Sequence, residues 1–138
     1  MIGPILKSHH AKILRMNKDF VHWLSPLDEG ELSSLLELAH YKKQIHEAQG
    51  VLIGYGHDVD YDHKNLKWLR AHFDKFYYID RIILSAAAQG KGYGRDMMIF
   101  LIELSKKIRC KTITLSASSD SGYRIYERLG FSKVGEFE

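Results

Sequence analysis

The sequence predicts a single mixed α/β domain. Three observations carry that prediction. Strand-like and helix-like periodicities alternate along the chain. The strongest strand pattern, residues 76–85 (FYYIDRIILS), leads through a glycine-rich turn into the clearest helix pattern, residues 95–109. The length of 138 residues suits one ordinary domain that buries a core of its own.

The elements follow in order. Residues 1–10 lack an apolar run and a small-residue cleavage site, so they are expected to form a loosely ordered leader rather than a signal peptide. Residues 11–16 (AKILRM) suit a first strand or the start of a helix. Asp28 and Glu31 stand three apart, as in a capping box, and Leu32, Leu35, Leu36 and Ala39 follow at helical spacing. Residues 41–47 and 51–55 read as two strands joined by a turn at Gln49-Gly50. From Asn65 onward, Leu66, Leu69, Phe73 and Phe76 recur at helical intervals, and the stripe is expected to pack in the core. Period-two alternation in the strand that follows puts Tyr78, Asp80, Ile82 and Leu84 on one face. The helix over 95–109 carries Met97, Leu101, Leu104 and Ile108 on one side. Ile113 and Leu115 point one way in a further strand, and Asp120 caps a last helix that stops at Gly130. A short strand over 131–137 closes the order β-α-α-β-β-α-β-α-β-α-β.

Composition excludes several classes. A hydrophobic share of 45% with only two prolines excludes wholesale disorder and collagen-like structure. Twenty basic against 17 acidic residues leave a net charge of +3, too mild by itself to argue for nucleic acid, and no nucleic-acid partner is expected. No apolar run reaches the roughly 18–20 residues of a membrane span, and no membrane partner is expected. The single cysteine, Cys110, rules out an internal disulfide framework and points to a reducing, cytoplasmic setting.

The segment Q-G-K-G-Y-G-R, Gln89 to Arg95, is the most informative in the chain. A helix N-terminus offers unpaired N–H groups and a partial positive charge. Gly90, Gly92 and Gly94 let the backbone approach an anion closely, and Lys91 and Arg95 add charge on either side of Tyr93. The dinucleotide fingerprint fails on spacing, because Arg95 or Met97 stands where its third glycine belongs, and no Walker A pattern is present. The loop is therefore a phosphate cradle of another kind or a plain βα turn.

Gln89, Gly92 and Gly94 match [R/Q]-x-x-G-x-[G/A] between a strand and a helix, and Tyr126-Glu127-Arg128-Leu129-Gly130-Phe131 supplies a helix tyrosine followed by a glycine–phenylalanine step. With one helix and one strand between them, these two elements resemble the GNAT superfamily of acyl-CoA N-acetyltransferases over about residues 76–135. The resemblance implies a GNAT-like mixed sheet and an enzyme that moves the acetyl group of acetyl-CoA to a primary amine in a ternary complex. It implies that the backbone of Ile82, Ile83 and Leu84 pairs with the pantetheine amides. It further implies that Gln89, Gly90, Lys91, Gly92, Tyr93, Gly94 and Arg95 hold the pyrophosphate. Tyr126 would serve the departing thiolate, for which a phenol is a suitable partner. Asp80 stands where relatives carry an acid facing the substrate; it would accept the ammonium proton, or else form an ion pair with neighbouring structure. Ser119 replaces a frequent asparagine on the cofactor arm, Gly122 a commoner alanine, and the turn Ala86-Ala87-Ala88 lacks a frequent proline and acid. Relatives usually continue through a further strand. With only residues 132–138 after Phe131, the last strand is expected to be missing or incomplete, its edge exposed or covered in a homodimer.

Other groups carry less. His57, Asp58, Asp60, Asp62 and His63 could ligate a metal but show no defined ligand spacing, so no metal is expected. The same acidic segment could instead attract a cationic amine to the acceptor site. Lys106, Lys107, Arg109 and Lys111 suit a solvated helix end or an adenosine 3′-phosphate. Two function classes remain: an acetyl-CoA-dependent N-acetyltransferase, and a non-catalytic acyl-CoA-binding or interaction module with the same fold.

Overall fold

A computed structural model of the chain describes residues 2–19, 26–61, 63–84, 93–107 and 112–115. Its element order is β1 (Gly3–Pro4), a 3-10 turn (Lys7–His9), α1 (His10–Asp19), α2 (Glu29–Leu38), β2 (Tyr41–Ile45), β3 (Gly50–Gly56), α3 (Lys64–His72), β4 (Tyr77–Leu84), α4 (Tyr93–Lys107) and β5 (Ile113–Leu115). The strands form one sheet in the order β1-β2-β3-β4-β5, antiparallel up to β4 and parallel between β4 and β5. This is the expected mixed α/β architecture. The last helix and strand expected from sequence, and with them the question of how the fold closes, lie outside the described residues.

Each face of the sheet buries its own apolar layer. On one face, Ile13 and Met16 of α1, Leu32 and Leu35 of α2, and Leu66 and Leu69 of α3 pack on Val51, Ile53, Tyr55, Tyr78 and Ile83. On the other, Phe100 and Leu104 of α4 pack on Tyr41, Ile45, Leu52, Tyr77, Ile79 and Ile82. Fully burying such a side chain stabilises by roughly 1.5–3 kcal/mol, and the two layers lock helices to both sides of β3 and β4. Among the described residues no helix is long and apolar enough to cross a membrane.

Several local expectations change. Residues 11–16 are helical, because Ile13, Met16 and Asn17 are the positions that meet the sheet side. The first ten residues, expected as a loose leader, carry β1, which pairs Gly3 with Gln44 and Pro4 with Lys43, and a buried His9. The capping box of α2 forms as expected: the Glu31 backbone N–H donates to Asp28 Oδ1 at 2.8 Å, and the Asp28 N–H to Glu31 Oε1 at 3.1 Å. The β2–β3 turn sits earlier than Gln49-Gly50. His46, Glu47 and Ala48 all take positive φ (56°, 54° and 62°), and Gly50 opens β3. That left-handed run is held by Lys12 Nζ donating to the Glu47 carbonyl (2.9 Å) and the Ala48 N–H donating to Gln44 Oε1 (2.8 Å). Among the α4 residues whose burial is described, Phe100 and Leu104 are fully buried and Leu101 partly buried.

β4 does not alternate strictly. Ile53 pairs with Arg81 and the next residue, Gly54, pairs with Ile79, so Asp80 is an inserted bulge residue. The bulge breaks the expected face of Tyr78, Asp80, Ile82 and Leu84. Ile82 lies in the α4 layer with Tyr77 and Ile79, whereas Tyr78 and Ile83 face the other layer. Arg81 joins Asp80 on the α1–α2 side, where its Nη1 donates to Asn17 Oδ1 at 3.0 Å. Gly54 is the residue that permits this: a Cβ there would meet the Tyr78 carbonyl oxygen and the Tyr77 ring, each at 2.8 Å.

Candidate active site

Asp80 is where the fold concentrates polar chemistry. The phenol of Tyr55, on β3, donates to Asp80 Oδ2 at 2.5 Å. Arg81 Nε lies 3.4 Å from Asp80 Oδ1, an ion pair and not an aligned hydrogen bond. Asp80 therefore has the ion-pair contact with neighbouring structure that one reading of the sequence expected, and it also borders a cleft.

That cleft has a volume of about 450 Å³ and lies between α2 and β4. Leu27, Leu35 and Leu38 give it an apolar side. Asp28, Glu31 and Ser34 from α2, Tyr61 after β3, and Asp80 and Arg81 from β4 supply polar groups. Three carboxylates against one guanidinium leave the described lining net negative, which favours a cation. Burial pushes the Tyr61 phenol's ionisation up, with the charge of Asp80 adding to the effect. The Tyr55 phenol is pushed up further by burial, then by the charge and hydrogen bond of Asp80. Both stay neutral donors at ordinary pH.

The acidic segment after β3 reaches the cleft through Tyr61. Asp58 and Asp60 are exposed and do not line the cleft, and Asp62 lies outside the described residues. Its histidines have structural partners. His63 Nδ1 accepts from the Asn65 N–H at the start of α3 (3.1 Å), and the His57 ring packs 5.8 Å from Phe76. Arg70 of α3 straps the segment down by donating to the carbonyls of His57 (2.9 Å) and Val59 (2.7 Å). Among the described residues no group of three or more His, Cys, Asp or Glu could hold a metal ion. Trp68 and His72, off the buried stripe of α3, stack on each other with centroids 3.9 Å apart.

A second feature lies on the other edge of β4. The parallel ladder to β5 joins Tyr77, Tyr78 and Ile79 to Ile113, Thr114 and Leu115. Thr114 Oγ1 also donates to the Tyr77 carbonyl at 3.1 Å. From the bulge onward, β4 continues through Ile82, Ile83 and Leu84 paired to Leu52, Val51 and Gly50 of β3, with no β5 partner among the described residues. Three candidate cofactor positions thus share one strand edge. Tyr93, Gly94 and Arg95 form the first turn of α4. Gln89, Gly90, Lys91, Gly92, Ser119 and Tyr126 lie outside the described residues.

A family model described as the acetyltransferase (GNAT) family matches residues 15–131. The chain belongs to the GNAT family of acetyltransferases. The spermine/spermidine N(1)-acetyltransferase of Bacillus subtilis (strain 168) is 34% identical over 113 residues, 78% of this chain and 70% of that protein. A probable spermine N(1)-acetyltransferase of Bacillus subtilis subsp. natto (strain BEST195) is 32% identical over 116 residues, with the same coverage. Among solved structures, an aminoglycoside 6′-N-acetyltransferase from Acinetobacter haemolyticus superposes with a TM-score of 0.70 at 14% identity, over 100% of this chain and 94% of that one. AAC(6′)-Iy, solved with a bisubstrate analogue containing CoA, gives 0.66 at 13% identity, over 100% and 94%. At these identities the structural likenesses speak for the GNAT fold.

Sequence reasoning missed Tyr55 and the cleft-lining role of the α2 capping box. A signal for Tyr55 was present: a phenol between Gly54 and Gly56 in an otherwise aliphatic strand has a polar end that burial must satisfy.

Proposed function

We propose that this GNAT member transfers the acetyl group of acetyl-CoA to a primary amine of a polycationic acceptor of the spermidine type. The observation that carries the proposal is the Asp80 carboxylate, set in the β4 bulge on the wall of a cleft shared with Asp28 and Glu31. The B. subtilis relatives named for spermine and spermidine support the acceptor class.

The chemistry would run as a direct transfer. The acceptor enters as an ammonium, and Asp80 takes its proton directly or through one water. The free amine attacks the thioester carbonyl, a carbon–nitrogen bond forms, and the carbon–sulfur bond breaks. The thiolate is then protonated, a task for which the resemblance nominates Tyr126. Backbone groups along Ile82, Ile83 and Leu84 would align the pantetheine arm. The N-terminal turn of α4, with the loop from Gln89 to Arg95, would hold the cofactor's phosphates, and Ser119 would bond to the cofactor arm. Asp28 and Glu31 would attract the acceptor's remaining ammonium groups. We further propose a cytoplasmic location, matching both substrates.

The test is thiol release from acetyl-CoA over a panel of spermidine, spermine, a neutral monoamine and an aminoglycoside, beside a thermal titration with CoA. Turnover is expected to favour the polyamines, and Asp80→Asn and Tyr126→Phe are each expected to lower kcat by about 10²–10⁴-fold. Stabilisation by CoA without turnover on any amine would instead mark a non-catalytic binding module.

A further inference from the structure

The carboxylate of Asp80 is held, and the holder lies on another strand. Tyr55 is fully buried, on β3, in register with Tyr78. Its ring is pinned edge-on by Tyr61 (centroids 5.9 Å, 87°) and tilted against Tyr78 (5.7 Å, 41°). Tyr78 is itself tied to α3, because Asn65 Nδ2 donates to its hydroxyl at 3.0 Å. A ring packed on both sides has one place for its O–H, and that place is 2.5 Å from Asp80 Oδ2. Oδ1 has the ion-pair contact with Arg81 Nε at 3.4 Å, which leaves this oxygen without an aligned donor from that nitrogen.

We propose that Tyr55 is a positioning residue for acetyl transfer: its buried O–H holds Oδ2 of Asp80 and so presents Oδ1 to the acceptor nitrogen. This rests on Asp80 as the proton acceptor of the proposed function. Burial keeps the phenol protonated, so it donates throughout the reaction and never competes for the ammonium proton. Among the described residues, the titratable groups around the carboxylate are Tyr55 from β3, Arg81 from β4, Tyr61 after β3, and Asp28 and Glu31 across the cleft from α2. Among them Tyr55 makes the close hydrogen bond to Asp80.

The experiment is Tyr55→Phe, which keeps the ring packing and removes only the donor. With spermidine and acetyl-CoA as substrates, kcat is expected to fall about tenfold while KM for acetyl-CoA stays unchanged. The acid limb of the kcat/KM profile is expected to move up in pH, since the charged carboxylate loses a donor. Because the donor acts through Asp80, the double variant with Asp80→Asn should be no slower than Asp80→Asn alone. Replacing Tyr55 by 3-fluorotyrosine, a stronger donor, should move the acid limb the other way. That measurement decides the matter if the Phe variant folds poorly. A native kcat and an unmoved limb in Tyr55→Phe, or an unmoved limb with 3-fluorotyrosine, with Asp80→Asn inactive, overturns the role of Tyr55 alone. An Asp80→Asn enzyme with native kcat overturns the proton-acceptor assignment and the role of Tyr55 with it.

Discussion

Replacing Gly54 by alanine tests the link between the β4 bulge and the chemistry. The added Cβ would stand 2.8 Å from the Tyr78 carbonyl oxygen, 2.8 Å from Tyr77 Cε1 and 3.6 Å from Ile79 Cα. The first contact is with backbone and the second with a buried ring, so neither yields as a flexible side-chain end would. Overpacking of this kind costs about 1–3 kcal/mol. Alanine recovers about 0.4–1 kcal/mol by restricting the unfolded chain. The net loss centres on about 1.3 kcal/mol and reaches at most about 2.6 kcal/mol, which for a domain of this size lowers Tm by about 5 °C and at most by about 10 °C. The relief available is to slide β3 against β4 at the bulge, and that moves Asp80 relative to Tyr55 and the cleft. A displacement of 1 Å at a reacting group can cost about 100-fold, so kcat is expected to fall by about 10–100-fold in the folded variant. Calorimetry and steady-state kinetics on one preparation read both numbers. An unchanged Tm would refute the close approach at Gly54. A lowered Tm with native kcat would refute the idea that the bulge sets the geometry of Asp80.

Three further outcomes are expected. Glu47→Gly should raise stability by about 1 kcal/mol, read by urea unfolding, because Glu47 holds φ 54° in the left-handed region while its side chain is almost fully exposed. Asp28→Asn should keep the cap of α2 and leave Tm unchanged while raising KM for spermidine about two- to five-fold, whereas Asp28→Ala should also lose about 1 kcal/mol of stability. Burial raises the ionisation of the Tyr41, Tyr55 and Tyr77 phenols above the ordinary value of 10.0. Their contribution is therefore complete below about pH 10, where the unfolded chain would ionise, and declines as pH rises toward the folded values. Tm measured from pH 9 to 11 should fall, and Tyr41→Phe, which removes the donor to Glu103, should flatten that fall.

Much of the architecture was legible from sequence because local and tertiary preferences agree there. Asp28 and Glu31 form the capping box at the spacing that announced it, and the aromatic, β-branched run is β4. Residues 11–16 were ambiguous because a short apolar run satisfies both periods; the sheet face beneath Ile13 and Met16 decides for helix. Period two cannot reveal where a strand gains a residue, so the bulge was hidden. Its trace was the adjacent pair Asp80-Arg81 in an otherwise apolar strand, which strict alternation would have sent to opposite faces. The turn was misplaced because glycine is the usual bearer of positive φ, whereas here Lys12 and Gln44 hold non-glycine residues in that conformation.

The short ladder between β4 and β5 carries a consequence for solvent exchange. Alternate amides of a strand point to opposite neighbours. Those of β4 that point toward β3 are covered along its whole length, from Tyr77 to Leu84. Those pointing the other way are covered by the described β5 only as far as Ile79. From Tyr77 to Ile79 both sets of amides are covered, so deuterium uptake there should be slow at every residue. A ligand laid along β4 beyond Ile79 would write its footprint on the amides that point away from β3, with the set held by β3 as an internal reference.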